Sequence, residues 1–260
     1  MTDLTTVLVV TTVAGLVTGL GAVPVLFQTS FSHRVYDSAL GFAGGVMFGA
    51  SVFALIVPGT ETGTVAEVTV GVAVGAAFLL VANRLIPHAH AEYLRWKADG
   101  TARDEDAEEA DSVRKAVLIG GSITIHNAPE GLAIGVAFAS GLEGVGFLLA
   151  LVIGIQNIPD GFAFAVPAGA TGVTKPRLVA YTTLSGAVPQ PVAAFVGFSL
   201  VELSEGLFPV AAGFAAGAMI AVVFREMVPS SHGHGYSDSA TATFVVGFLL
   251  IFVVDTVLVV

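Results

Sequence analysis

Apolar residues run along this chain in blocks of about twenty, separated by polar connections. A block of that length crosses about 30 Å of hydrocarbon at about 1.5 Å per residue, so each reads as a membrane-spanning helix. The blocks fall at about Leu4–Phe27, Ala39–Pro58, Val65–Ile86, Val113–Ser140, Gly144–Gly169, Leu178–Leu200, Leu207–Pro229 and Thr241–Val260. They predict an all-α integral membrane protein of about eight helices, one polytopic domain over residues 1–260. The first block lacks the basic leader and cleavage site of a signal peptide and is expected to persist as a spanning helix.

Composition agrees with that pattern. The chain is 55% hydrophobic and 12% charged, with a mean hydropathy of +0.87, whereas an ordinary soluble domain carries roughly 25% charge. The lipid bilayer is therefore its expected solvent. With 20 Asp and Glu against 10 Lys and Arg the net charge is −10, which argues against a nucleic-acid partner. Much of the acidity lies between Asp99 and Asp111, inside an acidic loop over residues 87–112. Such a run is ordinarily a solvated, partly disordered face. Cysteine is absent, which removes disulfides, thiolate metal sites and Cys nucleophiles.

Basic residues give the expected orientation. Arg34, Arg95, Lys97, Arg103, Arg114, Lys115, Lys175 and Arg177 fall in the connections after helices 1, 3 and 5, and Arg84 and Arg225 near helix ends on that same side. Basic residues are retained in the cytoplasm, so the acidic loop is expected inside and both termini outside. All three lysines are in loops, which excludes a retinal protein with a buried Schiff base.

The blocks also repeat. Gly41-Phe42-Ala43-Gly44-Gly45-Val46-Met47 in helix 2 returns as Gly213-Phe214-Ala215-Ala216-Gly217-Ala218-Met219 in helix 7, an offset of 172 positions between Met47 and Met219. The same offset carries Gly75 onto Gly247 and Asn83 onto Asp255, and near that spacing Gly21-Ala22-Val23-Pro24 recurs as Gly186-Ala187-Val188-Pro189. The copies stand five helices apart in the chain, so they are expected to enter the membrane from opposite sides. Helices 1–3 and 6–8 would then form inverted repeats around a central 4/5 pair, a common transporter architecture.

Helices 4 and 5 echo each other and hold the chemistry. His126-Asn127-Ala128-Pro129-Glu130-Gly131 is matched by Gln156-Asn157-Ile158-Pro159-Asp160-Gly161. His126 and Glu130 are four residues apart, as are Gln156 and Asp160, so each pair shares a helix face, with Asn127 and Asn157 on its edge. Ionisable groups at that depth cost at least about 2.5–3.5 kcal/mol each unless they face a partner or a wet cavity. Facing one another, the two helices offer an imidazole, two carboxylates and several amide oxygens, the donors of a cation's coordination shell. Pro129 and Pro159 release the carbonyls of Ile125 and Ile155 from the helical ladder. Gly131 and Gly161 are expected to let helices 4 and 5 approach closely. Imidazole, carboxylate and amide donors suit Zn²⁺, Fe²⁺, Mn²⁺ or similar ions, whereas Cu(I) prefers sulfur.

These paired motifs resemble those of the ZIP (ZRT/IRT-like) divalent-metal transporters, especially the prokaryotic branch. The Gly-rich helix 2, Ile86-Pro87-His88-Ala89-His90 and Phe224-Arg225-Glu226-Met227-Val228-Pro229 extend the likeness over nearly the whole chain. The resemblance implies eight helices arranged 3+2+3 and inward transport of a divalent metal by alternating access. Zinc is preferred, with Fe, Mn and Cd as other substrates, no cofactor is implied, and a homodimer is admitted. It implies one metal position at His126, Glu130, Gln156 and Asp160, and a neighbouring one where Asn127 and Asn157 join the acids. Asp160 stands where the family usually has Glu, and Gln156 where many members have His. Gln190 stands near where some prokaryotic members carry a helix 6 Glu contributing to the second site. His88, His90, His232 and His234 lie where an exiting metal would pass, and Glu226 where it would line the exit. Ordinary interfacial placement explains all five equally well. The alternatives from other classes are an intramembrane metalloenzyme, for which no His-Glu-x-x-His motif is present, and a membrane metal sensor.

Overall fold

The computed structural model describes residues 3–28, 31–98, 125–169 and 173–258, with backbone only for 85–98 and 258. Among the described residues every regular element is helical. We number the spanning helices α1 (Leu4–Phe27), α2 (His33–Thr62), α3 (Val65–Ala98), α4 (125–139), α5 (Glu143–Gly169), α6 (Lys175–Leu203), α7 (Glu205–Ser231) and α8 (Ser237–Leu258). Seven are long and apolar enough to cross a membrane; α4 is the eighth, described from residue 125.

Several helices begin before their apolar blocks. Helix α2 starts six residues ahead of Ala39, where Ser32 accepts a hydrogen bond from the Val35 amide and takes up one of the orphan donors of the first turn. Hydropathy misses such turns because capped N–H groups and polar side chains suit the interface.

Outward faces are apolar: Phe78, Leu151 and Phe224 are each 57% exposed, which water would penalise and lipid does not. Only 17% of the apolar window of α8 and 22% of that of α3 is buried, against 67% in α2 and 61% in α5 and α7. Helices α2, α5 and α7 are therefore interior, and α3 and α8 lie against lipid. The core is filled by Met47, Leu55, Ile134, Leu149, Ile153 and Met219.

Helix pairs meet through glycine. A Cβ on Gly41 or Gly45 of α2 would strike the backbone of Ala240 or Phe244 in α8, and one on Gly247 of α8 would strike Phe42. On the other side Gly213 and Gly217 of α7 meet Val68 and Val72 of α3, while Gly75 of α3 meets Phe214. Each contact in the first set maps onto one in the second at the 172-position offset, so the repeat in sequence is also a repeat in packing. Bare glycine lets two backbones approach, the usual device where dispersion drives helix association in lipid. The Gly-Ala-Val-Pro match of α1 and α6 is out of step with this. Gly15 of α1 instead packs directly on Gly186 of α6.

Interruptions in the helices aim side chains at the centre. In α1 a 3-10 turn spans Thr18–Ala22 ahead of Pro24. Helix α6 breaks at Val188, before Pro189 and Gln190. Wide π turns occupy Ala50–Ile56 of α2 and Val223–Met227 of α7, ahead of Pro58 and Pro229. A proline cannot donate the next ladder hydrogen bond, and the wider turn absorbs the loss while rotating the side chains it contains.

The expectation for Gly131 and Gly161 needs correction. A Cβ on Gly131 would meet the backbone of Gln190 in α6, and one on Gly161 the carbonyl of Thr18 in α1. These glycines bring α6 against α4 and α1 against α5, instead of α4 against α5. The reason is facial: one position beyond each acid, a residue is rotated by about 100° around the helix and no longer faces the other motif helix.

Candidate metal pathway

Five polar side chains converge where α4, α5 and α6 meet, and all are nearly or fully buried: Asn127 is 4% exposed, and Glu130, Gln156, Asn157 and Gln190 are at 0%. Glu130 is the hub. Gln156 Nε2 donates to its Oε1 at 2.5 Å, and Gln190 Nε2 donates to its Oε2 at 2.6 Å. Gln190 Nε2 also lies 2.8 Å from Asn127 Oδ1 and 3.2 Å from Asn157 Oδ1. Asn157 Nδ2 donates to the Ala14 carbonyl of α1 at 2.8 Å and to Gln190 Oε1 at 3.2 Å. Hydrogen bonds to a charged group contribute roughly 1.5–3 kcal/mol each, so two of them offset the insertion cost of an acid at this depth. Gln156 Oε1 is buried and has no hydrogen-bond partner among the described residues.

Beside this network opens a cavity of about 410 Å³, walled by Thr18, His126, Asn127, Asp160 and Glu226 with Tyr36 and Met47 at its apolar parts. His126 Nε2 lies 2.6 Å from Glu226 Oε2. Glu226 is delivered by the π turn of α7, and its other oxygen accepts a 2.5 Å hydrogen bond from Asn83 Nδ2 of α3. His126 and Glu130 thus lie on one face but serve different neighbours, the imidazole the cavity and the carboxylate the amides.

The structure accordingly gathers His126, Asn127, Glu130, Gln156, Asn157, Asp160, Gln190 and Glu226 into one polar core. Among the described residues, no three His, Asp or Glu side chains form a group that could hold a metal ion by themselves. The donor set is mixed with amides, and its members are turned toward one another. His232 is held by Thr241 Oγ1 at 3.1 Å and the Val228 carbonyl at 2.9 Å. His234 Nδ1 lies 2.8 Å from Asp37 Oδ1, and its ring stacks on His33 at 4.4 Å. The side chains of His88 and His90 lie outside the described residues.

Three polar participants were not singled out by sequence reasoning about the site. Asn83 positions Glu226, Thr18 lines the cavity with a buried hydroxyl that has no hydrogen-bond partner among the described residues, and Asp37 is wholly buried against His234. Asn83 did carry a signal, a polar residue late in an apolar block. Thr18 and Asp37 carried none, since a threonine is unremarkable in a spanning helix and Asp37 precedes its block.

A multi-pass helical membrane protein whose inner helices enclose a cavity walled by His, Asp, Glu and Asn has the make-up of an ion-handling membrane protein. Comparison with known proteins narrows the class. Residues 97–255 match the family described as ZIP Zinc transporter. The chain is 35% identical over 257 residues to zinc transporter GufA of Myxococcus xanthus, covering 95% of this chain and 97% of that protein. It is 36% identical over 257 residues to zinc transporter ZIPB of Bordetella bronchiseptica, covering 93% and 77%. It is 30% identical over 318 aligned positions to human zinc transporter ZIP11, covering 92% and 93%. The chain belongs to the ZIP family. Members of that family are transporters, so the metalloenzyme alternative is set aside.

Proposed function

We propose that this protein carries divalent metal, zinc before Fe, Mn or Cd, into the cytoplasm by alternating access. His126, Glu130, Gln156 and Asp160 bind the ion, and Asn127 and Asn157 stand with the two acids at the neighbouring position that the paired motifs outline. The observation that carries this reading is the polar core itself: imidazole, carboxylate and amide groups run from a cavity into the sealed centre of an otherwise apolar bundle. These donors suit borderline divalent ions. All come from one chain, so the donor set lies within a protomer whether or not two protomers pair.

Glu226 lies on the cavity wall beside His126, held by Asn83, and would receive the ion from His126. The repeated packing of α2 on α8 and of α7 on α3 supports the inverted-repeat reading, in which α1–α3 and α6–α8 rock around α4 and α5. Protonation of Glu130, Asp160 or His126 would help release the ion.

Uptake into proteoliposomes, with a panel of divalent ions and with and without a pH gradient, tests the function. Saturable zinc flux is expected; metal binding without flux would favour a membrane metal sensor. For orientation, a cysteine introduced at Asp106 should react with an impermeant thiol reagent only from the cytoplasmic side. Labelling from outside intact cells would reverse the direction assigned to every helix.

A further inference from the structure

The surroundings of the Gln190 amide nitrogen are not those of an ordinary hydrogen-bonded glutamine. Three oxygens from two other helices converge on that one atom: Glu130 Oε2 at 2.6 Å, Asn127 Oδ1 at 2.8 Å and Asn157 Oδ1 at 3.2 Å. An amide nitrogen has two hydrogens, so three acceptors exceed what it can serve with separate, well-aligned bonds. The cluster is buried, so no bulk water relieves the shortfall. Several oxygens gathered around one positive centre is the arrangement a cation imposes.

The assignment of nitrogen and oxygen in these amides follows from chemistry. Glu130 is already engaged by Gln156, and Gln190 approaches its second oxygen at a distance that requires a donor, so Gln190 presents nitrogen there. Asn157 donates to the Ala14 carbonyl, which can only accept, and so its Oδ1 is left toward Gln190. The cage of oxygens is therefore real, and the group inside it carries only a partial positive charge.

Helix α6 delivers that group rigidly. Gln190 directly follows the break at Val188–Pro189, and its backbone is pressed against Gly131 of α4, where any Cβ would collide. With its backbone held there, the amide can leave the cage only by changing its side-chain rotamer or by moving α6 relative to α4.

We infer that the side-chain amide of Gln190 is a built-in surrogate for a second cation: it fills the oxygen cage formed by Asn127, Glu130 and Asn157, so that this protein holds one metal ion at the paired motifs instead of two. The inference rests on the reading of those motifs as the metal site. A neutral, tethered donor there keeps the Glu130 carboxylate oriented toward the remaining position at His126, Gln156 and Asp160. It also spares the site the repulsion between two divalent ions a few ångströms apart.

The test counts tightly bound Zn²⁺ per protomer in purified full-length protein, as the number removed by Glu130→Ala, because Glu130 borders both positions and subtraction discards ions held elsewhere. The parent is expected to lose one. In a Gln190→Glu background, where a carboxylate replaces the surrogate and the cage needs a cation, Glu130→Ala is expected to remove two. A parent that loses two overturns the inference while leaving the metal-site reading standing. So does a Gln190→Glu protein that is folded by size-exclusion chromatography and still loses one. A parent that loses none fails the metal-site reading and takes this inference with it. The parent count needs no variant at position 190, so misfolding of Gln190→Glu leaves the inference testable.

Discussion

Two related helix contacts border the polar core, and they are completed in opposite ways. Gly161 of α5 lies on Thr18 of α1, and Gly131 of α4 lies on Gln190 of α6. The glycines are 30 positions apart, as are the two motifs, and Thr18 and Gln190 are 172 apart, the offset of the helix 2 and helix 7 repeat. Backbone packing is equivalent; the chemistry is not. At Thr18 a short hydroxyl leaves room, and the cavity containing His126 and Asp160 opens there. At Gln190 a longer amide reaches in and closes the space around Glu130. Glycine fixes where helices meet, while the residue opposite the glycine decides whether the meeting point is open or sealed.

The largest effect should come from removing the group that both ends share. Glu130→Ala deletes the acceptor that Gln156 and Gln190 share; Gln190 Nε2 keeps the two asparagine oxygens, but the buried Gln156 amide loses its acceptor, at about 1–3 kcal/mol. Zinc uptake in proteoliposomes should fall by about 100-fold, the upper end of losses seen when groups around a metal are removed. His126→Ala touches only the open end and should lower uptake less, by about 10–100-fold, while leaving thermal stability in detergent close to the parent's. Parental uptake in both variants would remove these residues from the pathway.

A smaller effect is expected at Asp160, on the cavity wall. Asp160→Asn keeps size and hydrogen bonding but removes the charge, and should weaken zinc binding about tenfold, given that second-sphere changes alone cost 10–100-fold. Asp160→Glu adds one methylene and should preserve binding while shifting preference among divalent ions, because Zn–O distances are held near about 2.0–2.2 Å. Competition binding with a second metal measures both. If Asp160→Asn binds as tightly as the parent, the open end draws its ligands from α4 and Gln156 alone.

The smallest functional effect, and the sharpest test of packing equivalence, lies away from the core. Gly45→Ala and Gly217→Ala each drive a methyl into the backbone of a partner helix, Phe244 in one case and Val72 in the other. Overpacking of this kind costs roughly 1–3 kcal/mol. The two variants should be destabilised to a similar degree in thermal unfolding. A large loss in one and none in the other would show that the repeat is one of sequence alone.

By itself the sequence determined most of the fold and the chemical character of the site. Blocks of about twenty apolar residues can be soluble only in lipid, and lipid forces the backbone to satisfy itself as helix. The doubled motif pointed to Glu130, Asn127, Gln156 and Asn157 because a polar residue inside such a block must have a partner, and the 172-position offset marked glycines at which α2 meets α8 and α7 meets α3, though not which helices they meet. Direction along the other axis was not legible. Nothing in the local pattern distinguishes a glycine that meets α5 from one that meets α6, and Gly131 and Gly161 were accordingly assigned the wrong neighbours. Glu226 meets His126 only because a π turn in α7 rotates it inward, and Gln190 reaches Glu130 only because α6 breaks at Val188. Periodicity specifies which residues share a helix face; which helix that face addresses depends on contacts between residues 59 to 143 positions apart, and only the tertiary structure decided those.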